Sequence, residues 1–158
     1  MIAPVGIALG SNLGDRSAEL DAGISFLRSL SVLDKVEVSP RLETAPVDCP
    51  PGSPPFLNAV AEIRIDTESL PPLQLLEQLQ AFEQQRGRAS VRAVNAPRPL
   101  DLDIIYYSCR IVHEAGLDIP HPLAAKRQFV LEPLAHLRPE LVLPGQTKTV
   151  RELLDALR

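Results

Sequence analysis

The spacing of apolar and polar residues changes period several times along the chain. Residues 4 to 9, Pro-Val-Gly-Ile-Ala-Leu, form a short unbroken apolar run of the kind a buried strand shows, closed by Gly10-Ser11-Asn12-Leu13-Gly14-Asp15. Leu20, Gly23 with Ile24, Leu27 and Leu30 then recur at helical spacing, which predicts a helix from Ser17 to about Leu30 with Asp15 as its N-cap. Val36, Val38 and the residues on to Thr44 read as a second strand. Five prolines (46, 50, 51, 54 and 55) fix φ and remove amide donors over residues 46 to 55, so this stretch is a loop. Strict alternation follows, with Phe56, Asn58, Val60, Glu62 and Arg64 on one face and Leu57, Ala59, Ala61, Ile63 and Ile65 on the other.

Pro71-Pro72 precedes an amphipathic helix from Leu73 to about Arg86, marked by Leu75, Leu76, Leu79, Phe82 and Glu83. Residues 87 to 99 carry neither period, and Leu100 to Tyr107 read as a strand. A hairpin over Ile111 to Ile119 is expected next, followed by a helix near Leu123 to Leu137 interrupted by Pro133. Leu141-Val142-Leu143 and a helix from Thr149 complete the chain. The order βαββαβ predicts an α+β fold, a ferredoxin-like antiparallel sheet with helices on one face and C-terminal hairpin and helix additions. All 158 residues fit one domain, 1–158, long enough to bury its own core.

Composition narrows the picture. Hydrophobic residues at 45% and charged residues at 23% exclude wholesale disorder. Sixteen basic against twenty acidic residues leave a net charge of −4, the wrong sign for a generic nucleic-acid or membrane-surface binder. The apolar start lacks a basic n-region and runs directly into SNLGDR, so a signal peptide and a spanning helix are both poor fits and a cytoplasmic location is expected. Cys49 and Cys109 have neither a CxxC neighbour nor a His at ligand spacing and read as reduced thiols.

Charge clustering carries the chemical signal. Four arginines (86, 88, 92 and 98) and no acidic residue fall between Arg86 and Arg98, in a chain that is otherwise acidic. Arginine suits bidentate recognition of phosphate or carboxylate, although a solvated loop explains the composition equally well. Asp101 and Asp103, at i and i+2, project from one face of a strand whose apolar neighbours suggest an interior position, where two unpaired carboxylates are costly and a cation relieves the cost. Hard oxygen ligands of this kind suit Mg²⁺ carrying substrate phosphates. Next to an arginine loop they point to phosphoryl transfer. There is no GxxxxGK[ST] segment and hence no Walker loop. The Gly10–Gly14 turn is read as serving strand-to-helix packing, and His113 and His136 as surface or capping residues. His121, fixed between Pro120 and Pro122 six residues before Arg127, is either an anion ligand or part of a structural turn.

Several blocks occur in one order: Leu9-Gly10-Ser11-Asn12-Leu13-Gly14-Asp15, Glu43-Thr44-Ala45-Pro46, Phe56-Leu57-Asn58-Ala59, and Glu83 followed by Gly87-Arg88. Ala96-Pro97-Arg98-Pro99-Leu100-Asp101-Leu102-Asp103 and Ile119-Pro120-His121-Pro122 with Arg127-Gln128-Phe129-Val130-Leu131 complete the set. Together they resemble the 6-hydroxymethyl-7,8-dihydropterin pyrophosphokinase family of the folate pathway, over nearly the whole chain. The resemblance implies transfer of the β,γ-pyrophosphoryl group of ATP to the pterin hydroxymethyl oxygen, with release of AMP. It implies two Mg²⁺ ions on Asp101 and Asp103, and Arg88, Arg98, His121 and Arg127 on the phosphates. Gln80, Glu83 and Ile104 fall at nucleotide contacts. Thr44, Pro46, Val47 and Asn58 match pterin-binding positions, with Phe56 and Phe129 the two rings that sandwich the heterocycle. Two aromatic faces and one amide do suit a flat polar ring.

The chain departs from the family at Ser90, where many members carry a second loop arginine that Arg92 is placed to replace. It also departs at Asn95, where some have Trp, and at Gly116, where some have Arg. A monomer binding ATP and the pterin, with neither nucleic acid nor membrane as partner, is expected. The rival readings are a noncatalytic ferredoxin-like anion-binding module and a metal-dependent phosphohydrolase using the same aspartates.

Overall fold

The computed structural model of the chain describes residues 1–45, 51–87, 99–114 and 116–158. Strand β1 (Ile2–Ser11) leads into helix α1 (Arg16–Leu30), whose N-cap Asp15 accepts a hydrogen bond from the Ala18 amide, as the spacing predicts. The second strand is two short pieces, β2 (Val36–Val38) and β3 (Leu42–Thr44), because Pro40 cannot donate to a ladder between them. Then come β4 (Phe56–Asp66), α2 (Pro72–Gln85), β5 (Asp101–Tyr107) and the hairpin β6 (Val112–Glu114) and β7 (Leu117–Ile119). Helix α3 (Gln128–Leu137) starts later than its apolar spacing suggests, after a 3₁₀ turn over Ala124–Lys126, and it runs through Pro133 without ending. Residues 141–143 form no strand, and α4 (Val150–Leu157) is closed by a reciprocal capping box between Thr149 and Glu152.

The main sheet has the order β2-β4-β1-β5, with β3 extending the β2 side, and every pairing is antiparallel. This is the split βαβ arrangement of the ferredoxin-like fold. Strand β5 is therefore terminal in the sheet, not interior. Its apolar residues are buried by helices and by the β6–β7 hairpin beside it.

Helices cover both faces, which corrects the one-face expectation. On one face α1 and α2 press Leu20, Leu27, Leu75 and Leu79 onto Val5, Ile7, Leu9, Ala61 and Ile63. On the other, α3 and α4 pack Leu131, Leu134, Val150 and Leu154 against Val60, Ile105 and Tyr106. The reason lies in β4, which is buried almost throughout and so needs cover on both sides.

In β5 the alternation breaks. Ile7 pairs with Ile104 and Gly6 with Tyr106, leaving Ile105 as the extra residue of a bulge. Ile105 and Tyr106 consequently share the α3–α4 face while Tyr107 returns to the other. Gly6 makes room for this, since a Cβ there would collide with the Tyr106 ring.

Candidate active site

Beyond the stretch of sheet that α3 and α4 cover, the same face opens into a cavity of about 500 Å³. Strand register builds its floor. Asn58 of β4, Gly10 of β1 and Asp101 of β5 form one cross-strand row, and Asp103 stands opposite Ala8. Two strand spacings put Asn58 and Asp101 roughly 10 Å apart. The floor therefore has an amide side and a carboxylate side.

On the amide side, Asn58 Nδ2 donates to Thr44 Oγ1 at 2.8 Å and to the Leu42 carbonyl at 3.4 Å, which fixes the orientation of its buried side chain. Phe56 pairs in register with Thr44, so both line the cavity beside Asn58. Gly10 lets them approach, because a Cβ there would stand 3.3 Å from Asn58 Oδ1 and 3.5 Å from the Phe56 ring. Phe129, from the first turn of α3, supplies a second aromatic ring in the lining.

On the carboxylate side, Asp101 and Asp103 are half-buried and line the cavity with His121 and Arg127. The bulge places the histidine: the His121 amide donates to the carbonyl of Ile105, the extra residue, at 2.9 Å. His121 Nδ1 accepts from the Leu123 amide at 3.1 Å, which leaves Nε2 to carry the ring proton. Burial, with help from the Arg127 cation, holds the His121 pKa below its ordinary value, against the pull of Asp101 and Asp118. Arg127 is the N-cap residue of α3, and its guanidinium carbon lies 5.4 Å from the centre of the Phe129 ring.

Thus Thr44, Phe56, Asn58, Asp101, Asp103, His121, Arg127 and Phe129 come together in one cavity. Gln80, Glu83 and Ile104 are not part of its lining. Gln80 is exposed on α2, and Ile104 packs on the α1–α2 side. Glu83 is buried, with Oε2 accepting from the Leu102 amide at 2.7 Å, and so ties α2 to the strand between the two aspartates. Pro46, Val47, Arg88, Arg98, the departures at Ser90 and Asn95, and Arg92 lie outside the described residues. The lining also holds residues that had gone unassigned, among them Ala8, Gly10, Lys126 and Gln128. The small residues at alternate positions 6, 8 and 10 of β1 were the available signal for the floor.

Among the described residues no group of three or more His, Cys, Asp or Glu side chains converges as a metal cage. Two carboxylates on one strand face, opening into a cavity, fit an ion of the Mg²⁺ type, which takes one or two protein carboxylates and completes its shell with phosphate oxygens and water.

Fold and cavity define a class: a ferredoxin-like domain whose small-molecule site joins carboxylates and cations at one side to aromatic faces and an amide at the other. Residues 6–139 match the family model of 7,8-dihydro-6-hydroxymethylpterin-pyrophosphokinase. The chain is 41% identical over 145 residues to the 2-amino-4-hydroxy-6-hydroxymethyldihydropteridine pyrophosphokinase of Pseudomonas aeruginosa, covering 91% of this chain and 86% of that protein. It is 35% identical over 151 residues to the folic acid synthesis protein fol1 of Schizosaccharomyces pombe, covering 96% of this chain but only 20% of that longer protein. The HPPK-DHPS of Plasmodium falciparum superposes with a TM-score of 0.75 at 14% identity over 99% of this chain and 44% of its own, a likeness of fold. The chain belongs to the 7,8-dihydro-6-hydroxymethylpterin-pyrophosphokinase family.

Proposed function

We propose that the chain, acting as a cytoplasmic monomer, transfers the pyrophosphoryl group of ATP to the hydroxymethyl oxygen of 6-hydroxymethyl-7,8-dihydropterin with Mg²⁺ as cofactor. Pyrophosphokinase activity in folate biosynthesis goes with the family. The observation that carries the substrate reading is the two-sided cavity: two carboxylates, Arg127 and His121 on one side, Phe56, Phe129 and Asn58 on the other.

Phe56 and Phe129 offer apolar faces to a flat heterocycle, and Asn58, held by Thr44, offers an amide edge in one orientation. Such a ring places its hydroxymethyl oxygen toward the aspartates, across the two-strand width of the floor. Asp101 and Asp103 would hold Mg²⁺, which when bound supplies charge neutralisation and polarisation of the phosphates. Arg127 and the Nε2–H of His121 face the same region and offset phosphate charge. In the transfer the pterin oxygen bonds to the β-phosphorus, the α,β-bridging P–O bond breaks and AMP leaves with the bridging oxygen. The hydroxymethyl proton departs with the bond change, and no side chain is assigned as its acceptor.

Incubation with Mg·ATP and 6-hydroxymethyl-7,8-dihydropterin should yield AMP and the pterin diphosphate in equal amounts. Formation of ADP or phosphate would indicate a phosphohydrolase, and ligand binding without turnover a noncatalytic module.

A further inference from the structure

The rim on the pterin side has a support that the chemistry above does not use. Thr44 and Phe56 form the last register pair between β3 and β4, and beyond them the chain leaves both strands. The residues leading into Phe56 are Pro54 and Pro55, which have no amide hydrogen, so the backbone ahead of β4 cannot be held by donating to a ladder. Side chains from the β1–α1 loop and the first residue of α1 hold it instead. Arg16 Nη1 donates to the Pro55 carbonyl at 3.1 Å, and Asn12 Nδ2 to the Pro54 carbonyl at 3.4 Å.

The same guanidinium reaches the other strand. Arg16 Nη2 pairs with Glu43 Oε2 at 3.0 Å. Glu43 precedes Thr44 as Pro55 precedes Phe56, so one side chain grips both strands immediately beside their final rung. Alternation turns Glu43 away from the cavity, towards α1, while Thr44 and Phe56 face inward. Arg16 itself opens α1, whose cap at Asp15 fixes where it starts. At the far end of β3, Arg41 binds the Ser17 carbonyl and hydroxyl and pairs with Asp21, so α1 carries this short strand at both ends.

We propose that Arg16 is a positioning residue for the heterocycle. By bracing Glu43 and Pro55 from behind, it holds Thr44 and Phe56 in the arrangement that receives the ring, and it touches neither substrate. The inference rests on the assignment of the amide side of the cavity to the pterin.

The test measures binding of 6-hydroxymethylpterin and of a non-hydrolysable ATP analogue separately by calorimetry, with steady-state kinetics alongside. Arg16→Met keeps the apolar stem and removes the donors. It should weaken pterin binding about fivefold and raise the pterin KM similarly, since the rim must then be ordered on binding, while nucleotide affinity and kcat stay within about twofold. Arg16→Lys should recover part of the loss, and Glu43→Gln should reproduce a smaller loss of the same selectivity. Unchanged pterin binding in Arg16→Met, or an equal loss for both ligands, overturns the proposal. Failure of the wild-type protein to bind the pterin would instead remove the substrate assignment itself, so the two failures are distinguishable.

Discussion

The two faces of the sheet differ in what they ask of their residues. Against α1 and α2 the sheet presents Val5, Ile7, Leu9, Ala61, Ile63, Leu102 and Ile104, a dry surface whose buried charge, Glu83, sits at its margin on a backbone amide. The opposite face carries Asn58, Glu62, Asp101 and Asp103 among smaller apolar residues, and α3 and α4 cover only part of it. The first face provides stability by burial, whereas the second keeps polar groups at the cost of desolvation and needs a partner for each. For Glu62, whose side chain is 2% exposed, the partners are Arg138 at 2.7 Å, Arg64 at 3.4 Å and the Tyr106 hydroxyl. Burial and the Glu62 charge push the Tyr106 pKa far upward, so the phenol remains a donor throughout the working range. Arg138 caps the C-terminal end of α3, and the network thereby fastens to the sheet the helix that brings Arg127 and Phe129 to the cavity.

Substitutions can separate the faces. The largest effect is expected at the carboxylates: Asp101→Asn or Asp103→Asn should lower kcat/KM on the order of 10³-fold, read in the AMP assay. The unfolding midpoint should hardly move, because the change also relieves like-charge repulsion. Glu62→Ala leaves the buried Tyr106 hydroxyl and the partly exposed Arg138 without their acceptor and should cost about 1–3 kcal/mol in urea unfolding, with Glu62→Gln costing less. On the dry face, Leu79→Ala should destabilise by about 2–5 kcal/mol, while kcat per folded molecule at low temperature is retained. A matching loss of kcat there would show that the two faces are not separable.

Smaller effects sharpen the division within the cavity. Phe129→Ala should weaken pterin binding by about 0.5–1.5 kcal/mol beyond the lost area, and nucleotide binding less, as titration with each ligand would show. The smallest effect is on pH dependence. The folded-state pKa of His121 lies below its ordinary value, so the unfolded chain binds more protons in the interval between the two. In the ligand-free protein its contribution to stability is complete above the unfolded value near 6.5 and is lost as pH falls from there through the folded value. His121→Asn should flatten the unfolding midpoint across that window, and an unchanged slope would assign it to other groups.

Much of this was legible in order and period. The alternation from Phe56 to Ile65, the helix periods of α1 and α2, the Asp15 cap and the i, i+2 spacing of Asp101 and Asp103 are local properties, and local spacing alone determines which side chains share a face. The sequence by itself also determined the family, through motifs in a fixed order. Other features depended on neighbours distant in the chain. Gly6 admits Tyr106 and so allows the bulge at Ile105, whose carbonyl then seats His121. Glu83, expected at the nucleotide, is taken by the Leu102 amide. Pairing between distant strands decided that Asn58, Gly10 and Asp101 form one row, and the burial of β4 on both sides decided that α3 and α4 lie across from α1 and α2. Periodicity names the face a side chain occupies, but what covers that face is set by long-range packing, which no local pattern encodes.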